Sequence, residues 1–352
     1  MTPVERFALR TRFGVSQAAR IGWYTTQSYA GIRLAARVGK SLPKRPPPKI
    51  DAPAGVPPRP VLLRHVRALM LRDLQNVEEG LYPMPRDETG GFAGLLRRRA
   101  LYLRDLPEVV RRRATQSHQE IDRSDTNRPR YYTQNFHFQT DGWLSDESAE
   151  LYETQVETLF MGAAAAMWRQ ALLPIADRAA KTDQRSLKLL DVASGSGAFL
   201  RDLRRAFPRL PVIASDLSEP YVARARKALG HAPGNSAMVA AAENLPLADG
   251  SLDLITNIYL FHELPPKVRP QVAAEFARVL ARGGQVIVVD SLQTGDTPEL
   301  DGLLELFPQM FHEPYYRSYL TTDFTQLFES VGLELVATWP VFVSKVFVFA
   351  KR

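Results

Sequence analysis

From Lys188 to the C-terminus the chain alternates short apolar runs with amphipathic stretches, and few architectures accept that alternation. KLLDVA (188–193), PVIASD (211–216), AMVAA (237–241), LDLITNIYL (252–260) and GQVIVVDS (284–291) read as strands. Their apolar residues run on without polar alternation, which suits a sheet covered on both faces. Stretches such as EPYVARARKALG (219–230) and RPQVAAEFARVLARG (269–283) read as the helices between them. Strands joined through helices imply right-handed crossovers and a doubly wound parallel sheet, an α/β fold. The end differs: LELVATWP (333–340) and KVFVFAKR (345–352) are joined by a short turn, which makes that pair an antiparallel hairpin.

In such a sheet a ligand sits beyond the carboxyl ends of the strands, beside the first. The first strand carries Asp191 and runs into the turn Ala193-Ser194-Gly195-Ser196-Gly197, then a helix. Gly195 and Gly197 let backbone approach a ligand with no Cβ in the way. Ala193 stands where a first glycine is common, and alanine is tolerated there if its φ stays negative. The second strand ends at Asp216, a suitable distance on for a carboxylate that accepts ribose hydroxyls. Asp216 has a plainer reading as the cap of the helix beginning near Pro220. After the third strand comes Ala242-Glu243-Asn244-Leu245-Pro246. A dinucleotide site is disfavoured, because Leu200 occupies the place of the third glycine of G-x-G-x-x-G.

Together the D-x-A-x-G-x-G loop, the acid after the second strand, the A-E-x-L-P segment and the L-D-L-I strand resemble the class I S-adenosylmethionine-dependent methyltransferases. The likeness covers about Lys188 to Arg352 and is similar in flavour to enzymes acting on quinone and other lipid-like or aromatic precursors. It implies a Rossmann-like, doubly wound, seven-stranded sheet, parallel with an antiparallel last strand, plus an N-terminal helical region. It implies S-adenosylmethionine as cofactor and S-adenosylhomocysteine as product. Asp191, Ala193, Gly195, Ser196 and Gly197 would hold the methionine part, and Asp216 the ribose. Leu217, Ala242 and Glu243 would sit by the adenine, and Asn257 would face the sulfonium methyl.

Methyl transfer needs an acceptor held in line and dry, and sometimes a base. His262 and Glu263, just beyond the fourth strand, are the candidate catalytic residues, since a histidine titrates near neutral pH. The alternative is that His262 shapes the pocket or caps a helix. Two aromatic segments, 130–160 and 311–324, are candidates for the acceptor enclosure through Tyr131, Tyr132, Phe136, Phe138, Tyr152, Tyr315 and Tyr316. A hydrophobic core between cap and sheet is the alternative for most of these rings. An aromatic enclosure favours a flat or greasy acceptor. No metal triad of carboxylates can be assembled from the sequence, and an N-P-P-Y or D-P-P-Y tetrad is absent.

Charge divides the chain. Residues 1–130 hold 25 Lys and Arg against 12 Asp and Glu, whereas the remainder is net acidic, so the core is not expected to grip a nucleic-acid backbone. Residues 1–42 form a basic amphipathic segment with Glu5 as its only acid. It reads as a helix packed on its own domain, a peripheral membrane contact or a targeting segment. Glycines at 14, 22, 31 and 39 argue against one long helix. Residues 43–60 read as a Pro-rich extended linker, 61–180 as a helical cap or lid, and 181–352 as the core. The RRR triplets at 97–99 and 111–113 read as solvated faces. With no cysteine, disulfides and thiolate chemistry are excluded, and a reducing, cytoplasmic setting fits. A homodimer is left open. Two other functions compete: an RNA methyltransferase using the basic N-terminal region, and a non-catalytic cofactor-binding partner subunit.

Overall fold

In a computed structural model, which describes residues 1–86, 90–121 and 128–352, seven strands form one sheet. They are β1 Leu189–Val192, β2 Val212–Asp216, β3 Ser236–Val239, β4 Leu252–Ile258, β5 Leu280–Ser291, β6 Leu333–Val341 and β7 Ser344–Lys351. The order is β3-β2-β1-β4-β5-β7-β6, so the winding reverses beside β1. All pairings among β1 to β5 are parallel, and β7 runs antiparallel to both neighbours, as the short final turn requires. Val286 to Val289 are fully buried, because helices cover both faces. One boundary differs from expectation: the helix over 269–283 stops at Val279, where Leu280 turns extended and pairs with Leu252.

The helices are α1 Pro3–Val38, α2 Arg59–Glu78, α3 Gly91–Thr115, α4 Asp146–Leu159, α5 Ala164–Trp168 and α6 Leu172–Lys181 before the sheet. Within it lie α7 Ala198–Ala206, α8 Glu219–Leu229, α9 Arg269–Val279, α10 Asp301–Met310, α11 Tyr316–Tyr319 and α12 Phe324–Glu329. Among the described residues, no single helix is long and apolar enough to cross a membrane.

The glycines of the N-terminal segment do not break it. α1 is one continuous helix, started by a Thr2–Glu5 capping box and Pro3. Each internal glycine costs about 1 kcal/mol relative to alanine, and tertiary packing offsets that. Phe13, Gln17, Tyr24, Gln27 and Gly31 share one buried face, and a Cβ at Gly31 would come within 3.0 Å of the Tyr102 hydroxyl on α3. Arg20 pairs with buried Glu157 of α4 at 2.5 Å, and Gln27 Nε2 donates to Thr158 Oγ1. Val4, Phe7, Val15, Tyr29 and Ile32 stay exposed on the other side.

The Pro-rich stretch has no regular secondary structure up to α2 beyond a turn closed by the Gly55 amide on Ala52 O, and it is not a free tether. The Asp51 and Lys49 amides donate to Glu305 and Gln309 of α10, and a Cβ at Gly302 would overlap the Gly55 carbonyl. It therefore straps α10 onto the body. Arg112, read as part of a solvated triplet, is instead buried. Its guanidinium binds Glu120, the Phe138 carbonyl and Thr140, which anchors the 136–140 loop to α3.

Candidate active site

The turn after β1 is closed by backbone bonds: the Ser194 amide donates to Ser215 O and the Gly197 amide to Ser194 O. Ala193 has φ +55, so the expectation of a negative φ fails. A left-handed conformation costs a non-glycine residue about 1–2 kcal/mol. Ala193→Gly should therefore raise stability, by up to about 1 kcal/mol once the freer unfolded chain is counted. Thermal unfolding of the two proteins tests this, and a lower melting temperature for the variant would reject the strain. The two glycines that follow have different duties. Gly195 (φ +56) faces an open cleft, where an added Cβ would meet nothing closer than 3.7 Å. Gly197 (φ +78) does not line that cleft: its Cβ would strike Ala228 at 2.7 Å and Ala225 at 3.0 Å, so its constraint is the close packing of α7 on α8.

Asp216 lies in the cleft wall and is held by the Gly195 and Ser218 amides, each at 2.9 Å. Burial pushes its carboxyl up to about 6, against the pull of those amides. Asp191 lies beneath the turn rather than in the cleft, with Oδ1 accepting from Thr256 Oγ1 at 2.6 Å. Burial raises it to about 7. Asn257 is buried beside β1, donating to Val192 O at 3.0 Å. Ser196 Oγ, Asn257 Oδ1 and Glu243 Oε2 are buried with no hydrogen-bond partner, unusual for native proteins and typical of groups awaiting a ligand or water.

The cleft, about 780 Å³, is lined by Ala193, Gly195, Asp216, Leu217 and Ala242, with Tyr131, Tyr132, Trp143, Tyr152 and Tyr221 over it. Tyr131 donates to Glu243 Oε1 at 2.7 Å, joining the aromatic segment to the turn after β3. The expected acceptor rings thus divide. Tyr131 and Tyr132 cover this cleft, and Phe136 stacks behind it on Trp143 at 4.4 Å. Phe138 is core, and Tyr315 lines neither space but packs near Phe136. Of the two expected from the second segment, only Tyr316 faces the neighbouring cavity.

That cavity, about 1310 Å³, is almost wholly apolar. α10 gives Leu303, Phe307 and Met310, α4 gives Val156, and the β6–β7 turn gives Phe342. Tyr152, Tyr259 and Glu263 line both spaces, so the two meet there. His262 faces the cavity, and its Nδ1 lies 2.6 Å from Asp290 Oδ1 at the end of β5. Burial alone would lower its pKa, but the Asp290 charge and hydrogen bond outweigh this and leave it above the ordinary histidine value. Asp290 also accepts from the Phe261 amide at 2.8 Å, which positions the turn carrying His262.

Asp290 is a residue that sequence reasoning missed. Its signal was present: β5, like β1 and β2, carries a carboxylate near its carboxyl end. A second missed feature is strain. Of the eight non-glycine residues with positive φ among those described, Ala193, Tyr259, His137, Met161 and Phe342 line one or both spaces. Such backbone persists where surrounding structure imposes it, commonly around functional sites.

Residues 189–284 match the family described as methyltransferase domain. The demethylmenaquinone methyltransferase of Thermotoga maritima is 31% identical over 137 residues, covering 39% of this chain and 57% of that protein. A 23S rRNA (guanine(748)-N(1))-methyltransferase of Streptomyces fradiae is 28% identical over 174 residues, 47% of this chain and 56% of that one. Among solved structures, a TehB-like SAM-dependent methyltransferase from Corynebacterium glutamicum is 19% identical, covers 59% of this chain and all of its own, and gives a TM-score of 0.42. The chain spans about half the length of the curated relatives it matches.

Proposed function

We propose a function for a chain that carries a class I S-adenosylmethionine-dependent methyltransferase domain: transfer of the cofactor's methyl group to a hydrophobic or aromatic small molecule. One observation carries the reading. The cleft holding Asp216 and the glycine turn shares Tyr152, Tyr259 and Glu263 with a neighbouring apolar cavity that has a paired histidine on its wall. A concave, mostly apolar space with a few convergent polar groups suits a greasy or flat ligand.

The chain's residues suit the cofactor. Asp216 can accept ribose hydroxyls, and Gly195 leaves its backbone accessible in the cleft. When bound, the cofactor supplies an electrophilic methyl on a sulfonium. The aromatic cover excludes water from that group, and the shared wall holds the acceptor opposite it. His262, oriented by Asp290, takes the proton that the acceptor loses.

An RNA acceptor is the weaker reading. Many arginines of the basic third are already paired, as in Arg10–Glu78, Arg97–Glu150 and Arg111–Glu108, and the cavity offers apolar walls rather than cations. Calorimetry with S-adenosylhomocysteine tests the cleft. Wild type should bind, and Asp216→Ala and Gly195→Trp should each abolish binding while circular dichroism stays unchanged. Binding that survives both substitutions would reject the site. Labelled S-adenosylmethionine with a metabolite extract then identifies the acceptor, since the mass and fragmentation of the labelled product assign the methylated atom. Label appearing only in RNA would overturn the small-molecule reading.

A further inference from the structure

At Glu263, which lines both spaces, three ionisable side chains from distant parts of the chain converge. His137 comes from the aromatic loop, Glu263 from the turn after β4, and Glu313 from the segment between α10 and α11. His137 Nε2 lies 3.2 Å from Glu263 Oε1, and its Nδ1 lies 3.1 Å from Glu313 Oε1. One donor atom from each lies within 4.8 Å of the others. This convergence is built rather than accidental. The His137 amide donates to His312 O at 3.2 Å, and His312 Nε2 meets Gln134 Oε1 at 2.8 Å. Arg112 holds the Phe138 carbonyl from the other side. His137 adopts φ +55, a left-handed backbone uncommon for any residue but glycine, in this position.

Two carboxylates buried side by side are unfavourable unless something positive lies between them. The Glu313 side chain is fully buried, and neither of its oxygens receives a hydrogen bond. Glu263 Oε2 is likewise buried without a donor. Burial first, then the charges of Glu263 and Asp290, hold the Glu313 carboxyl well above its ordinary range. The cluster therefore holds more buried carboxyl oxygens than donors to satisfy them.

We propose that His137, Glu263 and Glu313 bind a divalent metal ion beside the acceptor cavity, next to the point where Glu263 also lines the cofactor cleft. One imidazole nitrogen with two carboxylates is a mixed hard and borderline donor set, which suits Mn²⁺ or Zn²⁺ better than Ca²⁺ or Mg²⁺. His137 and Glu263 both line the acceptor cavity, so the ion's remaining positions would face an oxygen-bearing acceptor. The competing occupant is a proton shared among the same three groups.

The test uses the full chain, stripped with a chelator and titrated with Mn²⁺ or Zn²⁺ in the absence of cofactor, so failure here is separable from failure of the methyl-transfer reading. Isothermal calorimetry should give one tight equivalent, and bound Mn²⁺ should show nitrogen coupling in its paramagnetic resonance spectrum. Glu313→Gln and His137→Asn should each weaken binding at least about tenfold. Asparagine tolerates the left-handed backbone at 137, so this second variant decides the matter if Glu313→Gln does not fold. No binding by wild type at millimolar metal, or equal binding by a folded variant, would overturn the proposal in favour of the shared proton.

Discussion

Replacing His262 with alanine is expected to lower kcat by about 10²–10⁴-fold while S-adenosylhomocysteine still binds. The reason is geometric: His262 lines the acceptor cavity but not the cofactor cleft, and Asp290 holds its Nδ1, which leaves Nε2, 3.6 Å from Glu263 Oε1, as the nitrogen that takes a proton. The pH profile gives an independent readout. Asp290 holds the His262 pKa above the ordinary value despite burial, so the neutral, proton-accepting form is lost as pH falls through that raised pKa. Wild-type kcat/KM should therefore fall on the acid side of a limb lying above about 6.5. Asp290→Asn removes the charge and should move the limb to lower pH, whereas His262→Ala should erase it. An unchanged kcat in His262→Ala would show that proximity alone drives transfer and that His262 only shapes the pocket. The experiment requires the acceptor, so it follows the labelling step.

Asp73→Ala is expected to cost about 3–5 kcal/mol of stability. Asp73 on α2 is fully buried and receives both arms of Arg169, at 3.1 and 2.6 Å, together with the Tyr82 hydroxyl at 2.6 Å. Removing it leaves a guanidinium only 4% exposed, with Asp202 at 3.4 Å as its remaining acid. Leaving a charge buried and uncompensated is far worse than losing a surface pair. Urea unfolding without ligand measures the difference. A loss below about 1 kcal/mol would mean the pair is relaxed or hydrated in solution. The shape of the transition is also informative: if α2 is part of one cooperative body with the sheet, the whole transition moves to lower urea. If the N-terminal helices unfold separately, an early step appears and the main transition stays in place.

Much of the C-terminal half was legible in the sequence because its rules are local. Continuous apolar runs at strand length, helices between them and a short final turn are read from periodicity, and they lead to the observed sheet with β7 reversed. The acid at the end of β2 and the glycine turn after β1 occupy fixed places relative to those strands, so their meeting at Gly195 and Asp216 follows from topology. The N-terminal third was less legible. Glycines at 14, 22 and 31 weaken α1 by intrinsic preference, yet the face that packs on α3 and α4 restores it, and packing partners do not show in a helix's own composition. The Pro-rich stretch likewise looks like a tether until the backbone donors of Lys49 and Asp51 find α10.

The sequence by itself determined the layered sheet, its reversal beside β1, and the presence of a glycine turn and strand-end carboxylates, because each depends on residues near one another in the chain. Only the tertiary structure decided that Ala193 is left-handed, that Gly197 serves helix packing and that Asp290 orients His262. It alone brought His137 and Glu313 together with Glu263. Those three come from separate loops, His137 lying 126 residues before Glu263, held together by Arg112 and the His137–His312 backbone bond. No period or propensity in the chain encodes such a meeting. It is set by how the cap, the strap and α10 close over the sheet.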